Sequence, residues 1–146
     1  MRRTLKLAAA ALLLAVLTTG CAVNKATATV DPSARLDTIR SVHVKPYAND
    51  ERGTDKVIVD NLRARGYQVS TGKEPAGSVD ALVTYVDKWF WDITMYMLEL
   101  TIQIRDPKTD YPIATGYSMH TSLTRKSPPD MVDEVLGNII KEGKGK

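Results

Sequence analysis

The sequence predicts an α+β fold with the element order β-α-β-β-β-β-α. We expect a two-layer sandwich in which one mostly antiparallel sheet carries both helices on one face. Three observations lead to this prediction: a closely spaced strand, helix and strand, then three long alternating segments, then an amphipathic helix. The 146 residues favour a single domain.

The strand–helix–strand unit spans residues 41–70. Residues 41–47 alternate between apolar and polar side chains and reach Pro46, which indicates a strand. Apolar residues at helical spacing follow, between a candidate N-cap at Thr54 and a terminating glycine at Gly66. Residues 67–70 resemble a short second strand. This succession predicts a right-handed parallel crossover.

The three long segments are residues 79–91, 93–105 and 111–123, with a Pro-containing turn at 106–110 before the last. Residues 93–105 and 111–123 should pair as an antiparallel hairpin with one buried face. We expect the buried side chains to be Leu98, Leu100, Ile102, Ile104, Ile113, Tyr117, Met119 and Leu123. We expect the wetter face of the third segment to hold Gly116, Ser118, His120 and Ser122.

The last element is a predicted helix that Ser127 caps and that Pro128 and Pro129 open. Apolar residues recur at positions i, i+3 and i+4 from Met131 onward, which indicates one buried stripe. Gly143 should end the helix.

The first 20 residues have the organisation of an export signal. Three basic residues, Arg2, Arg3 and Lys6, accompany an apolar run over 7–17 that is too short to span a bilayer. Small residues then lead to Cys21, the single cysteine of the chain. We predict a signal peptide at 1–20; a buried structural cysteine and an uncleaved membrane anchor are the alternatives.

The stretch "LTTGC" at 17–21 resembles the lipobox of bacterial lipoproteins, although Leu17 stands four residues before the cysteine instead of three. The resemblance implies that the Cys21 thiol carries diacylglycerol and that its new amino end is acylated after cleavage. Two or three acyl chains anchor a protein stably, at about 0.8 kcal/mol for each buried CH₂. In diderm bacteria Ala22 after the cysteine implies sorting to the outer membrane, facing the periplasm.

The basic balance of the chain belongs to its export signal. Three of the 20 Lys and Arg and none of the 17 Asp and Glu precede Cys21, so the chain from Cys21 onward holds 17 of each. A formally neutral mature protein gives no support to nucleic-acid binding. Residues 21–36 are small and polar, which predicts a lipidated cysteine followed by a flexible tether, with a single periplasmic domain at 37–146.

Catalytic motifs are weak in this sequence. The histidines are His43 and His120, and no HExxH, CxxC, GxSxG, Walker or GxGxxG pattern occurs. We therefore expect no metal and no cofactor. Ser118, His120 and Asp110 invite comparison with a hydrolase triad, but Ser118 and His120 would lie about 7 Å apart on one strand face.

A dense aromatic stretch at 88–92 is the strongest candidate for a contact surface. Strand alternation sends Trp89 and Trp91 to one face and Phe90 to the other, so the three rings cannot all enter one core. Exposed aromatic and methionine side chains often mark contact surfaces. An aromatic mini-core under the helices is the alternative. The candidate surface comprises Trp89, Phe90, Trp91, Met95 and Met97, joined by the open-face residues Glu99, Gln103 and Arg105.

Two stretches, "DALVTYVDKWFWDITMYMLELTIQIRDPKT" and "HTSLTRKSPPDMVDEVL", resemble a group of small proteobacterial lipoproteins of uncharacterised role. The resemblance implies a lipid-anchored envelope protein without an established activity. We expect a non-catalytic binding or scaffolding module that meets the membrane through its anchor and an envelope protein or glycan through its domain. The alternatives are a small envelope hydrolase using His120 with a nearby acid, and a purely structural lipoprotein.

Overall fold

A computed structural model describes residues 23–145. Within that range the chain forms six strands, two α-helices and two short 3₁₀ helices at Leu36–Thr38 and Ser122–Thr124. The strands are β1 (Asn24–Val30), β2 (Ser41–Val44), β3 (Gln68–Thr71), β4 (Ala81–Asp92), β5 (Thr94–Arg105) and β6 (Pro112–His120). The helices are α1 (Thr54–Ala64) and α2 (Pro128–Lys144).

The strands form one sheet in the order β1-β6-β5-β4-β2-β3. The pairs β1–β6, β6–β5 and β5–β4 are antiparallel. Strand β2 runs parallel to β3, as the strand–helix–strand succession predicts, and it also runs parallel to β4. Both helices pack on one face of this mostly antiparallel sheet, which confirms the predicted α+β sandwich.

The core lies between that sheet face and the two helices. Ser127 caps α2 as predicted, with its hydroxyl accepting a hydrogen bond from the Asp130 backbone N–H. The apolar stripes of the helices meet alternate residues of the central strands in one cluster. Its fully buried members include Ile58 of α1, Val44 of β2, Val83 of β4, Leu100 and Ile102 of β5, and Met131, Val132, Val135, Leu136 and Ile139 of α2.

The flexible tether predicted for residues 21–36 is wrong for residues 24–30. Residues Asn24–Val30 form β1, which pairs antiparallel with β6 and occupies the edge of the sheet. The physical reason is the alternation in "ATATV", which places Ala28 and Val30 against the core while threonines face outward. Residues 24–30 therefore belong to the folded domain, which the prediction began at 37.

The predicted signal peptide and the lipidation site Cys21 lie outside the described residues. From Val23 to residue 145, no helix is long and apolar enough to cross a membrane.

The predicted facing of β6 is also wrong, by one residue. Ala114, Ser118 and His120 are buried on the helix side, whereas Tyr117 and Met119 are partly exposed on the other face. Gly116 explains the inversion, because a Cβ at this position would lie 2.7 Å from the Val135 side chain. Small residues on β6 let α2 approach the sheet closely, and the larger side chains take the open face.

Candidate functional site

The most exposed apolar feature among residues 23–145 is the end of the β4–β5 hairpin. We call Phe90, Trp91, Ile93 and Met95 the hairpin tip. Their exposed fractions are 51%, 65%, 86% and 40%. Large apolar side chains at these levels of exposure are costly in water and mark a contact surface when they lie together.

The hairpin tip is apolar on both sides. Phe90 pairs with Tyr96 and Trp91 pairs with Met95 across the two strands, so the two pairs project to opposite faces. The Phe90 and Tyr96 rings pack edge to face, with their centroids 6.1 Å apart. Ile93 forms the turn between Asp92 and Thr94 with φ of 61°. A β-branched residue rarely adopts this left-handed conformation, so the turn is strained.

A β-bulge separates the hairpin tip from the rest of the sheet. Lys88 pairs with Glu99 and Trp89 pairs with Met97, which leaves Leu98 without a counterpart. The extra residue turns Met97 into the core, where it is fully buried. Met97 is therefore not part of a contact surface, and its place in the predicted surface is wrong.

Trp89 is half-buried at the base of the hairpin. Its indole N–H donates to Asp87 Oδ2 at 2.8 Å, and the same oxygen accepts from the Thr54 hydroxyl at 2.6 Å. The Arg52 guanidinium lies 4.7 Å from the Trp89 ring centroid in a cation–π contact. These contacts hold the hairpin on the N-terminal end of α1 and leave Trp89 little free surface.

Arg125 fastens the other side of the hairpin. Its guanidinium lies 4.7 Å from the Tyr96 ring centroid and donates to the Thr94 hydroxyl at 2.7 Å. The same guanidinium donates to the carbonyl and hydroxyl oxygens of Ser122 at 3.0 and 2.8 Å. The segment after β6 is thereby fixed against the hairpin, and its Leu123 is exposed.

The start of the described chain lies against that same segment. The Val23 carbonyl accepts hydrogen bonds from the Thr121 N–H at 3.2 Å and from the Thr121 hydroxyl at 3.0 Å. The Thr124 hydroxyl also lies within hydrogen-bond distance of this carbonyl, at 3.3 Å. A continuous set of contacts therefore joins the beginning of β1 to the hairpin.

The polar candidates lie on the open sheet face, which we define by Lys88, Glu99, Gln103, Arg105 and Tyr117. Lys88 and Glu99 form an ion pair at 3.0 Å. The Arg105 guanidinium donates to Gln103 Oε1 and to the Asp110 carbonyl, both at 2.6 Å, and to the Thr84 hydroxyl at 3.2 Å. These side chains form two preordered polar groups on a sheet face that neither described helix covers.

The structure thus separates the eight predicted contact residues into three groups. Phe90, Trp91 and Met95 belong to the hairpin tip, Glu99, Gln103 and Arg105 belong to the open sheet face, and Trp89 and Met97 pack inward. Sequence reasoning missed Ile93, although an isoleucine between Asp92 and Thr94 at a strand boundary is an unusual turn residue. It also missed the role of Arg125, which depends on a contact across 31 residues.

A second cluster surrounds Glu134 of α2, beneath β6. Its Oε2 atom accepts from the Ser118 hydroxyl at 2.6 Å and lies 2.8 Å from His120 Nε2, and its Oε1 accepts from Lys126 Nζ at 2.8 Å. Burial by itself raises the pKa of Glu134, but the hydrogen bonds from Lys126, Ser118 and His120 outweigh it and lower the pKa to about 2. The carboxylate is therefore ionised, and His120 Nε2 is the donor.

The cluster does not have the geometry of a nucleophile and its base. Ser118 and His120 both bond to the same carboxylate oxygen and not to each other. Both side chains are buried, and His120 Nδ1 is buried without a hydrogen-bond partner in the described chain. Asp110 lies elsewhere, beside Arg105, so the grouping of Ser118, His120 and Asp110 is not formed. His43 is likewise buried and bonds to Ser70 and Gly72.

No set of three His, Cys, Asp or Glu side chains in the described part of the chain is placed to hold a metal ion.

Comparison with known proteins gives structural likeness only. No protein-family model and no curated protein matches the chain. A dodecamer of a PelC point variant from Paraburkholderia phytofirmans is similar in fold, with TM-score 0.57 and 11% identity over 83% of this chain and 97% of that one. A PelC dodecamer of the same organism in another crystal form gives TM-score 0.55 at 11% identity, with the same coverage. At this identity the likeness establishes the fold alone.

Proposed function

We propose that this protein is a lipoprotein anchored through Cys21 to the outer membrane, facing the periplasm, whose domain is a non-catalytic binding or scaffolding module. The observation that carries the proposal is the hairpin tip, an exposed apolar surface held in a fixed position by Arg125 and by the contacts of Trp89. Such a surface favours a contact role, because apolar side chains that lie together in water mark a surface that meets another partner.

The open sheet face supports the same proposal. Its charged and amide side chains are ordered by one another before any partner arrives, which lowers the entropy lost on binding. We propose an envelope protein or glycan as the partner of this face, because its hydrogen-bonding groups suit a polar ligand.

The anchor is tested by intact-mass analysis of the protein extracted from membranes. We expect cleavage before Cys21 and an added mass from the attached acyl chains. The Cys21→Ser variant is the control, because it should keep its first 20 residues and carry no acyl chains. An unacylated wild-type protein that keeps its first 20 residues would contradict the anchor.

The binding role is tested by photo-cross-linking in living cells from positions 91 and 103, with the exposed loop position 74 as the control. A defined protein or glycan adduct at 103, reproduced from the partner's side and missing at 74, supports the module, and position 91 reports what the hairpin tip meets. Adducts at none of the three positions would favour the purely structural alternative.

The hydrolase alternative has one observation in its favour, since an acid does accompany His120, with Glu134 at 2.8 Å. The burial of Ser118 and His120 argues for a structural role of this cluster. A His120→Ala variant decides between the two. An unchanged activity or cellular phenotype removes the hydrolase, and a folded variant that has lost that activity or phenotype supports it.

A further inference from the structure

We infer that the hairpin tip docks into the interfacial layer of the phospholipid bilayer that holds the acyl chains of Cys21. The inference rests on the proposed lipid anchor and names the surface that the hairpin tip meets. It divides the contact surface in two, with the hairpin tip in lipid and the open sheet face available to the envelope partner.

The position of Val23, the first of the described residues, is the first argument. The Val23 carbonyl is hydrogen-bonded to Thr121 and Thr124, and the Arg125 that follows them is bonded to Thr94 and stacked on Tyr96. Val23 and the hairpin tip therefore lie at the same end of the domain. Only Ala22 separates Cys21 from Val23, so their Cα atoms lie at most about 7 Å apart. An acylated Cys21 consequently holds this end of the domain close to the membrane surface.

The distribution of apolar side chains carries the second step. A partner protein with a flat surface covers one side of a hairpin, but the hairpin tip exposes Phe90 on one side, Trp91 and Met95 on the other, and Ile93 at the turn. A bilayer surrounds an inserted element on all sides. Tryptophan and phenylalanine are the side chains that interfacial membrane contacts favour, and cations beside them meet the phosphate layer. Arg125 stands directly beside the tip, on the ring of Tyr96.

The charge of Asp92 limits the depth of insertion. This residue is partly exposed between Trp91 and Ile93. A carboxylate is expensive in the hydrocarbon centre but tolerated among headgroups. We therefore place the tip at the boundary between headgroups and acyl chains, about 5–10 Å into the leaflet.

The strained turn at Ile93 carries the third step. Asparagine or glycine would adopt its φ of 61° at lower cost. The isoleucine is 86% exposed, so packing in the folded domain does not compensate for the strain. In the docked state, contact of the Ile93 side chain with lipid compensates for this strain.

The experiment uses the full acylated protein in vesicles of phosphatidylethanolamine and phosphatidylglycerol, with and without lipids brominated on the acyl chain near the glycerol. The chain holds two tryptophans, so the Trp91→Phe variant leaves Trp89 as the single emitter and serves as the control. We expect at least about twofold stronger quenching by brominated lipid in the wild type than in W91F, because interfacial side chains lie within reach of the upper acyl chain. Vesicles should also protect Trp91 from aqueous acrylamide.

A second variant separates docking from folding. Ile93→Asn relieves the left-handed strain and removes an apolar side chain, so its resistance to urea should equal or exceed that of the wild type while quenching of Trp91 by brominated lipid falls. A lower resistance to urea with unchanged quenching would show that Ile93 serves the fold, and would overturn the inference.

The remaining outcomes are equally decisive. Acrylamide quenching that is the same with and without vesicles would overturn the docking. Protection from acrylamide without quenching by brominated lipid would assign the tip to a second copy or another protein, and would also overturn it. Failure of the anchor looks different, since the wild type would then lack the acyl mass and would not float with vesicles.

Discussion

Met97 lies opposite Trp89 across the β4–β5 pair, directly beyond the bulge at Leu98, and its side chain is fully buried. Met95 lies two residues away on β5, opposite Trp91, and is 40% exposed. The two methionines share one face of β5, but Met97 is buried in the core and Met95 is exposed to solvent. The boundary between the part of the hairpin that belongs to the core and the part that projects from it therefore lies beyond the bulge, between Met97 and Met95.

This boundary predicts different costs for the same substitution. Met97→Ala should lower the free energy of unfolding by about 2–5 kcal/mol, because it leaves a cavity in the core. Met95→Ala, the matched control, should change it by less than about 0.5 kcal/mol. Urea unfolding followed by circular dichroism, in a Cys21→Ser background without acyl chains, measures both. Equal effects at the two positions would contradict the described burial.

The elements between residues 41 and 144 could be predicted from sequence because each carries its own local pattern. Apolar side chains at helical spacing and the Ser127 cap mark α2, and alternation marks β5 from Leu100 to Arg105. The bulge could not be predicted, since Leu98 continues the apolar alternation and only the pairing with β4 shows that it is an extra residue. A one-residue shift of this kind inverts the facing of every β5 residue on the tip side of Leu98, and for this reason the sequence places Met97 on the wrong face.

The facing of β6 and the existence of β1 depend on tertiary contacts. Gly116, Ser118 and His120 resemble a solvent-facing set until the close approach of α2 and the carboxylate of Glu134 are known. Strand β1 has few apolar residues and acquires its structure by pairing with the otherwise open edge of β6. For the site, composition alone indicates the aromatic stretch. The division of the candidate residues between the hairpin tip and the open sheet face follows only from the register of the β4–β5 pair.

The close approach of α2 to β6 gives a second prediction. A methyl group at Gly116 would meet Val135 at 2.7 Å and Ile139 at 2.9 Å. Val135 is β-branched and stiff in a helix, so Gly116→Ala should lower the free energy of unfolding by about 1–3 kcal/mol. Gly77→Ala is the control, because nothing lies within 4 Å of its added methyl group. If the two variants unfold at the same urea concentration, the helix is not seated on Gly116.

The assignment of β1 gives a third prediction, which hydrogen exchange of the backbone amides checks. Amides of residues 24–30 that bond to β6 should exchange far more slowly than those of the 72–79 loop, because exchange requires the strand to detach. Exchange at the rate of a free peptide throughout 24–30 would restore the flexible tether.

The Glu134 cluster gives a prediction on acid stability. The pKa of this carboxyl is lowered from 4.5 to about 2 in the folded protein, since hydrogen bonds from Lys126, Ser118 and His120 outweigh the opposing effect of burial. The ionised carboxylate therefore stabilises the folded state fully above pH 4.5, and this contribution is lost as the pH falls from 4.5 to about 2. Its size is about 3 kcal/mol.

The Glu134→Gln variant removes this titration. We expect E134Q to be less stable than the wild type at neutral pH, and the difference to shrink steadily as the pH falls below 4.5. The pKa of Asp50 is also lowered to about 2, because hydrogen bonds from Tyr85 and from backbone N–H groups outweigh its burial, but Asp50 is present in both proteins and cancels in the difference. Urea midpoints measured from pH 7 to pH 3 in the Cys21→Ser background give the two profiles. Parallel profiles would mean that Glu134 titrates alike in the folded and unfolded chain, and that its bonds to Ser118, His120 and Lys126 do not stabilise the fold.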